Sequence, residues 1–334
     1  MGAVLGTGES GGERFETRDE ASISLVCEAI RRLAGDVGIE LQRAEALVAA
    51  ASELGHNQLA HARRGWLVVS TIDRDGVAGV EVVAGDEGRG IGDPTAALRG
   101  QPRQSGSLGV GLSAAYRLCD EMDFDVRAGE GTWIAARKFA APVPRSEVGI
   151  FGRPIAGEPE SGDDAALLRT PQALLVAVAD GLGHGPEARE ASARAMAVVR
   201  GGGEPRALLY RCHQALQDTR GAVMAVARLD HAAGVLTHAG AGNITSHLYR
   251  PRASRRFAPA SCVLGARGPE PRLREDCEPL VPRPLLVMFT DGVSARADVS
   301  EDLELLRQHP VVVAHQLLVR HGRATDDALV LVAS

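Results

Sequence analysis

Two groups of side chains in this sequence have the types and spacing for chemistry. In SELGHNQLAHA, Glu53 and Asn57 stand four residues apart, so a helix turns both to one face. A carboxylate and an amide placed together can serve as a proton acceptor and a ligand for hydrated Mg²⁺. Further on, GDEGRGIGD carries Asp86 after a predicted strand, with Gly88 and Gly90 letting the backbone approach a ligand closely. In SGSLGVGLSAA, Gly106, Gly109 and Gly111 precede a predicted helix. Backbone N–H groups at a helix N-terminus attract phosphate without any lysine. Taken singly these pieces say little: a helical Glu–Asn pair is usually a solvated face, and a lone GxG is usually a turn.

The second group is acidic. SGDD holds Asp163 and Asp164, ADGLGHG holds Asp180, FTDGV holds Asp291, and TDDALVLV holds Asp326 and Asp327. Three of these stretches lie at the end or the start of an apolar strand. A charge there is costly unless it is paired or bound to metal. Several carboxylates, with no matching lysines and few arginines nearby, point to hard cations such as Mg²⁺ or Mn²⁺. Each Asp-Gly pair is also a common turn signal. His184, inside the Asp180 loop, is either an acid for a leaving group or part of the turn.

Composition removes other chemistries. Of the 37 basic residues one, Lys138, is lysine. A P-loop needs its GK[ST] lysine and a protein-kinase fold needs one on its third strand. Lys138 sits in AARKFA, which fits neither. A net charge of -6 argues against non-specific nucleic-acid binding. The longest strongly apolar run, Ala173 to Ala179, is too short to span a bilayer. No secretory signal is visible, and the five cysteines are scattered without a CxxC pair, which predicts reduced thiols in a cytoplasmic protein.

The elements that must position these residues read as two domains. Residues 1–18 are expected to be a flexible leader. Helices are predicted over Ser22–Leu33 and Leu41–Ala62, and a hairpin over Trp66–Ile72 and Val77–Val83 around Asp75-Gly76. A helix over Leu112–Cys119 and strands over Met122–Ala128 and Thr132–Phe139 follow. AAPVPRSE, residues 140–147, has two prolines and no periodicity and reads as a linker. Beyond it come short apolar strands at Ala165–Arg169, Leu174–Ala179, Val223–Leu229, Val235–Ala239, Leu285–Phe289 and Ala328–Val332. Helices are predicted at Glu187–Val199 and Arg206–Gln217. Many strands with few helices suggest one sheet packed on another.

The order of Glu53/Asn57, DxGxG and GxGxG, with strands in the right places, resembles the GHKL ATPase/kinase superfamily, the Bergerat fold, and within it the small bacterial anti-sigma-factor serine kinases. The resemblance covers residues 22–139, including a last hairpin in CDEMDFDVRAGEGTWIAARKF. It implies an ATP-binding kinase domain over 19–139, an α/β sandwich with a mixed sheet and helices on one face. By position, Asn57 would hold Mg²⁺ and Glu53 would be the base acting on the attacking hydroxyl. Asp86 would bond the adenine amino group in a pocket shaped by Gly88 and Gly90. Gly106, Leu108, Gly109 and Gly111 would bind phosphate under a lid over residues 95–107. Close relatives often have glycine where this chain has Ser107.

The acidic group, together with AGAGNI (Ala239–Ile244), resembles the SpoIIE-like branch of the type 2C metal-dependent protein phosphatases, over residues 148–334. That implies a β-sandwich flanked by helices, giving an α+β chain overall. It implies two Mn²⁺ or Mg²⁺ ions: Asp180 bridging them, the Gly181 carbonyl helping one, Asp163 on the second-metal side, Asp291 and Asp326 on the first. Asp164 and Asp327 are adjacent alternatives ranked lower. By resemblance, the two halves add and remove phosphate on a Ser or Thr of a STAS-domain protein, an anti-sigma antagonist or stressosome component, in partner-switching control of a sigma factor, with a sigma factor as a further partner. Nucleic acid and membrane are not expected partners. A different reading makes the first half a nucleotide-binding module that sequesters a partner and gates the phosphatase, and a third makes the second half a metal-free pseudophosphatase. Glu53 favours catalysis over the former, and the full set of aspartates weighs against the latter.

Overall fold

The computed structural model describes residues 5–6, 12–100, 110–250, 253–280 and 284–334. The chain divides into two compact units, one spanning Thr7–Val148 and the other Met1–Gly6 with Gly149–Ser334. In chain order the first elements are β1 (Leu5–Gly6), β2 (Glu13–Glu16), α1 (Glu20–Asp36), α2 (Leu41–His61), β3 (Gly65–Arg74), β4 (Val77–Asp86), α3 (Pro94–Arg99), α4 (Val110–Leu118), β5 (Glu121–Arg127) and β6 (Gly131–Phe139). They are followed by β7 (Val148–Arg153), β8 (Asp163–Arg169), β9 (Ala173–Gly181), α5 (Pro186–Arg200), α6 (Pro205–Ala215), β10 (Ala222–Asp230) and β11 (Val235–Ala241). The last are β12 (Thr245–Arg250), β13 (Ala253–Arg256), β14 (Asp276–Pro279), β15 (Leu285–Phe289), α7 (Pro310–His321) and β16 (Ala328–Ala333).

In the Thr7–Val148 unit the strands run in the order β5-β6-β4-β3-β2, each antiparallel to its neighbour. Cross-strand register puts Leu67 opposite Ala84, Val82 opposite Ala136, and Ile134 opposite Phe124, which makes one face of the sheet apolar. That face is matched by the buried stripe of α1 (Ile23, Val26, Ile30) and of α2 (Leu47, Ala51, Leu54). Helix α1 starts at a capping box: the Ser22 N–H donates to Asp19 Oδ1 at 2.8 Å, and the Asp19 N–H donates to Ser22 Oγ at 3.1 Å.

The opposite face carries a buried ionic ladder. Arg137 donates from Nε to Glu81 Oε2 at 2.6 Å and pairs through Nη2 with Asp123 Oδ2 at 2.7 Å. Arg74 pairs with Glu121, and Arg127 with Asp125 at 2.6 Å. Three carboxylates around it raise the pKa of the Arg137 guanidinium despite its burial, so it stays charged.

Two expectations change here. Residues 13–16, assigned to a flexible leader, form β2 and pair with β3 from Glu13–Val69 to Glu16–Trp66. The reason is local: ERFE alternates, and Phe15 turns inward while its neighbours stay exposed. The supposed linker 140–147 is held by hydrogen bonds at its end. Ser146 N–H donates to Glu121 Oε1 at 2.8 Å, and Met122 N–H donates to Glu147 Oε1 at 3.2 Å. Just past it, Val148 N–H donates to Asp123 Oδ1 at 2.7 Å. Side-chain carboxylates do this work, and no hydrophobic period announces them.

The second unit has two sheets, β1-β8-β9-β10-β11-β14 and a second containing β13-β12-β15-β16-β7. Helices α5 and α6 cover the first, and α7 packs on β16 of the second. The core under α5 and α6 is built from Ala177, Ala179, Met196, Leu208, Met224 and Val226, among others, all fully buried. Small residues let elements close in at two points. A Cβ on Gly181 would lie 2.0 Å from the Ala188 carbonyl oxygen, and one on Gly292 would lie 1.7 Å from that of Asp327. Those glycines follow Asp180 and Asp291, so glycine is what allows each aspartate to sit where its strand ends.

Candidate functional sites

Of the residues expected to bind nucleotide, the structure brings Glu53, Asn57 and Gly111 together. Glu53 and Asn57 lie one turn apart on α2, and α4 crosses that turn. A Cβ on Gly111 would fall 2.3 Å from Glu53 Oε2 and 3.9 Å from Asn57 Nδ2. Glycine therefore lets the start of α4 press against the carboxylate. Asp86 ends β4, opposite Gly65 on β3 and Thr132 on β6. Its Oδ1 accepts the Gly88 N–H at 2.7 Å, and burial pushes its pKa above the usual carboxylate value. Gly88 packs toward the end of α2, where a Cβ would be 3.4 Å from the His61 carbonyl oxygen. Gly90 has φ +77 and lies against the Arg127 carbonyl, a position for which glycine is suited on both counts. The start of the expected lid lies in helix α3 (Pro94–Arg99), which is capped by Asp93. Gly106, Leu108 and Gly109 lie outside the described residues.

The aspartates of the second unit converge on one cleft of about 690 Å³. Asp180, Asp291 and Asp326 line it, with His184, Asn243 and Leu182 around them. Asp163 is opposite Asp180 in the β8–β9 ladder, so both carboxylates leave the same face of the sheet. Burial, and then repulsion from Asp291, Asp326 and Asp327, pushes the Asp180 carboxyl up to about 7. Asp163 is raised well above its ordinary value by burial and then by Asp180. Asp326 is raised by burial and by Asp291, with Arg323 offsetting part of this.

Asp327 is placed differently from Asp326. Both of its oxygens are taken by backbone donors, Ile155 N–H to Oδ1 at 2.7 Å and Gly162 N–H to Oδ2 at 2.9 Å. It pins the loop between β7 and β8, and unlike Asp326 it does not line the cleft. Asp164, the neighbour of Asp163, is buried in β8 and points to the other face, with Oδ1 accepting the Ala165 N–H at 2.8 Å.

Mutual repulsion among buried and half-buried carboxylates is a misfit that a divalent cation would relieve, and an all-oxygen set suits Mg²⁺ or Mn²⁺. The residues present fit such ions in chemistry. As they stand, among the described residues no three His, Cys, Asp or Glu side chains are grouped closely enough to hold a metal ion.

Three polar contacts at this site were not anticipated. Asn243 Nδ2 donates to Asp291 Oδ2 at 2.9 Å, Thr290 Oγ1 donates to Asp163 Oδ2 at 2.7 Å, and His184 Nδ1 lies 3.0 Å from Glu158 Oε1. Asn243 and Thr290 sit inside AGAGNI and FTDGV, so their signal was present but had no partner attached to it. Glu158 lies in a loop with no signal of its own.

Fold and site thus define a sheet-and-helix unit of nucleotide-binding type followed by a type 2C-like phosphatase sandwich. Residues 15–138 match the histidine kinase-like ATPase domain family, and residues 170–334 match the stage II sporulation protein E (SpoIIE) family. The Thr7–Val148 unit belongs to the histidine kinase-like ATPase domain family, and the same polypeptide carries the SpoIIE match over its second half. Among curated proteins it is similar to the serine/threonine-protein kinase RsbT of Bacillus subtilis (strain 168). They are 33% identical over 109 residues, 33% of this chain and 82% of that protein. It is also similar to the phosphoserine phosphatase RsbX of the same organism, 30% identical over 97 residues, 28% of this chain and 49% of RsbX. That second match therefore spans about half of its relative. A chain solved in work on the bacterial stressosome, described as a modular system adapted to control secondary messenger signaling, superposes with TM-score 0.54 at 29% identity. It covers 57% of this chain and 100% of that one. RsbX solved in complex with magnesium shares the fold, with TM-score 0.51 at 22% identity over 58% of this chain and 96% of that one. No described helix is long and apolar enough to cross a membrane.

Proposed function

We propose that this chain both adds phosphate to and removes it from a serine or threonine of a STAS-domain protein, and so sets the state of a partner switch on a sigma factor. The observation that carries the reading is the convergence of Asp180, Asp291 and Asp326 on one cleft, with Asp163 facing Asp180 across the ladder. Support for the substrate comes from the relatives: one is named a serine/threonine-protein kinase and the other a phosphoserine phosphatase.

In the second unit, Asp180 would bridge two divalent cations, helped by the Gly181 carbonyl, with Asp163 on one side and Asp291 and Asp326 on the other. Bound there, the cations supply a polarised water and neutralise phosphoryl oxygens for in-line attack. The protein's own part is to hold the carboxylates on one face, to keep Asp327 on its loop, and to set His184 at the cleft. His184, paired with Glu158, would either hand a proton to the leaving oxygen or serve the turn that carries Asp180.

In the first unit, Glu53 would accept the proton of the attacking hydroxyl and Asn57 would hold Mg²⁺ of ATP. Gly111 lets α4 begin against both, where its N-terminal N–H groups favour phosphate. Asp86 would meet the adenine amino group. With a STAS-domain protein from the same genome, wild type should transfer label from radioactive ATP and Glu53→Ala should not. With the phosphorylated form, Mn²⁺ should trigger phosphate release in wild type and not in Asp180→Asn. An ATP-binding wild type that transfers nothing would reduce the first unit to a binding module.

A further inference from the structure

Thr290 is fully buried and immediately precedes Asp291. Its Oγ1 accepts the Leu329 N–H at 3.0 Å and lies 2.7 Å from Asp163 Oδ2. A hydroxyl has one proton to give. The Leu329 amide can only donate, so it occupies a lone pair of Oγ1 and leaves that proton for another acceptor. The Leu329 carbonyl, at 3.5 Å, is too distant to compete with Asp163. The direction of the bond is therefore set by the backbone of β16: Thr290 presents a donor to Asp163 Oδ2.

The same hydroxyl touches three chain segments. It bonds directly to Asp163 on β8, it is one residue from Asp291 after β15, and Leu329 is three residues after Asp326 on the approach to β16. Three of the four aspartates proposed as ligands are thus referenced to one oxygen atom. Shifting the backbone of these three segments relative to one another breaks a buried hydrogen bond or moves a strand.

We infer that Thr290 is a positioning residue for the metal pair: it fixes the rotation of the Asp163 carboxylate and locks β8, β15 and β16 into a common frame. The inference rests on the metal-dependent phosphatase reading proposed above. Residues that orient metal ligands typically change metal affinity about 10–100-fold when removed.

Calorimetric titration of the full chain with Mn²⁺ alone, without substrate, tests this. The wild-type isotherm should contain a step that Asp163→Asn removes. Thr290→Val, which keeps shape and loses the hydroxyl, should weaken that step about 10–100-fold, while Thr290→Ser should stay within about threefold of wild type. Melting in EDTA checks folding, and Thr290→Ala stands in should the valine variant not fold. Valine or alanine variants binding Mn²⁺ like wild type would overturn the inference, as would a serine variant as weak as valine. A wild type with no Mn²⁺ step removed by Asp163→Asn would instead overturn the metal reading on which it stands.

Discussion

Asp163 and Asp180 face each other across the β8–β9 ladder, one carboxylate to each strand end, with Thr290 bonded to the first and the cleft open on the second. Like charges set directly opposite on one sheet face are destabilising. Such a pair is maintained against stability, which is the usual mark of a site that a ligand completes.

Asp180→Asn separates these two effects. It removes one charge from a repelling group, so the variant should melt at a higher temperature than wild type in EDTA. With Mn²⁺ the order should reverse, because wild type gains the binding energy of the ions. Phosphate release should drop to background. A variant that is less stable than wild type in EDTA would contradict the repulsion argument.

Gly111→Ala tests the first unit's geometry. The new Cβ would fall 2.3 Å from Glu53 Oε2, the far end of a flexible side chain, so the helix can absorb it by displacing the carboxylate. Folding should survive and phosphate transfer should fall by about 10²–10⁴, the range ascribed to a misplaced or missing general base. ATP affinity, read by fluorescence titration, should change far less than the transfer rate.

Arg137→Met probes the buried ladder. It would leave Glu81 and Asp123 without their guanidinium partner in a buried setting. Breaking one side of a buried ion pair costs about 3–5 kcal/mol. Urea unfolding should show a lower midpoint for the first unit, corresponding to a loss of that size once multiplied by the slope m. Because Glu121 and Asp123 also hold Ser146 and Val148, the segment 146–148 should become more accessible to protease.

His238 gives a pH signature. It is buried, stacked on Phe257 with centroids 4.3 Å apart, and burial pulls its pKa down from 6.5 to about 4. The unfolded chain takes up a proton below about 6.5 that the folded chain refuses until about 4. The stability tied to this group is therefore complete above pH 6.5 and is lost as pH falls toward 4, by about 3 kcal/mol at most. His238→Phe should flatten the melting temperature against pH in that window. An unchanged slope would assign the acid sensitivity elsewhere.

Much of this molecule was legible because its signals are local. Val110–Leu118, Pro186–Arg200 and Pro205–Ala215 are helices where periodicity placed them, and Glu121–Arg127 and Gly131–Phe139 pair around the turn that Gly129 and Gly131 announce. The aspartates stood out because a carboxylate at the end of an apolar strand needs a reason. Non-local contacts were not legible. Nothing in PVVVAHQLLVRH marked helix α7, since its β-branched run reads equally as strand, and its fit against β16 decides the matter. The ties from Glu121 and Asp123 to residues 146–148 join positions 25 apart through side chains. The choice between Asp326 and Asp327 depends on two backbone N–H groups more than 160 residues away.

The most direct test of the two opposed activities is the steady-state phosphorylation of one STAS-domain protein, from the same genome, incubated with ATP, Mg²⁺ and Mn²⁺. Phosphate on that protein, read by radiolabel, should be low with wild type, high with Asp180→Asn and absent with Glu53→Ala. Equal labelling by wild type and Asp180→Asn, or undiminished labelling by Glu53→Ala, would contradict the account.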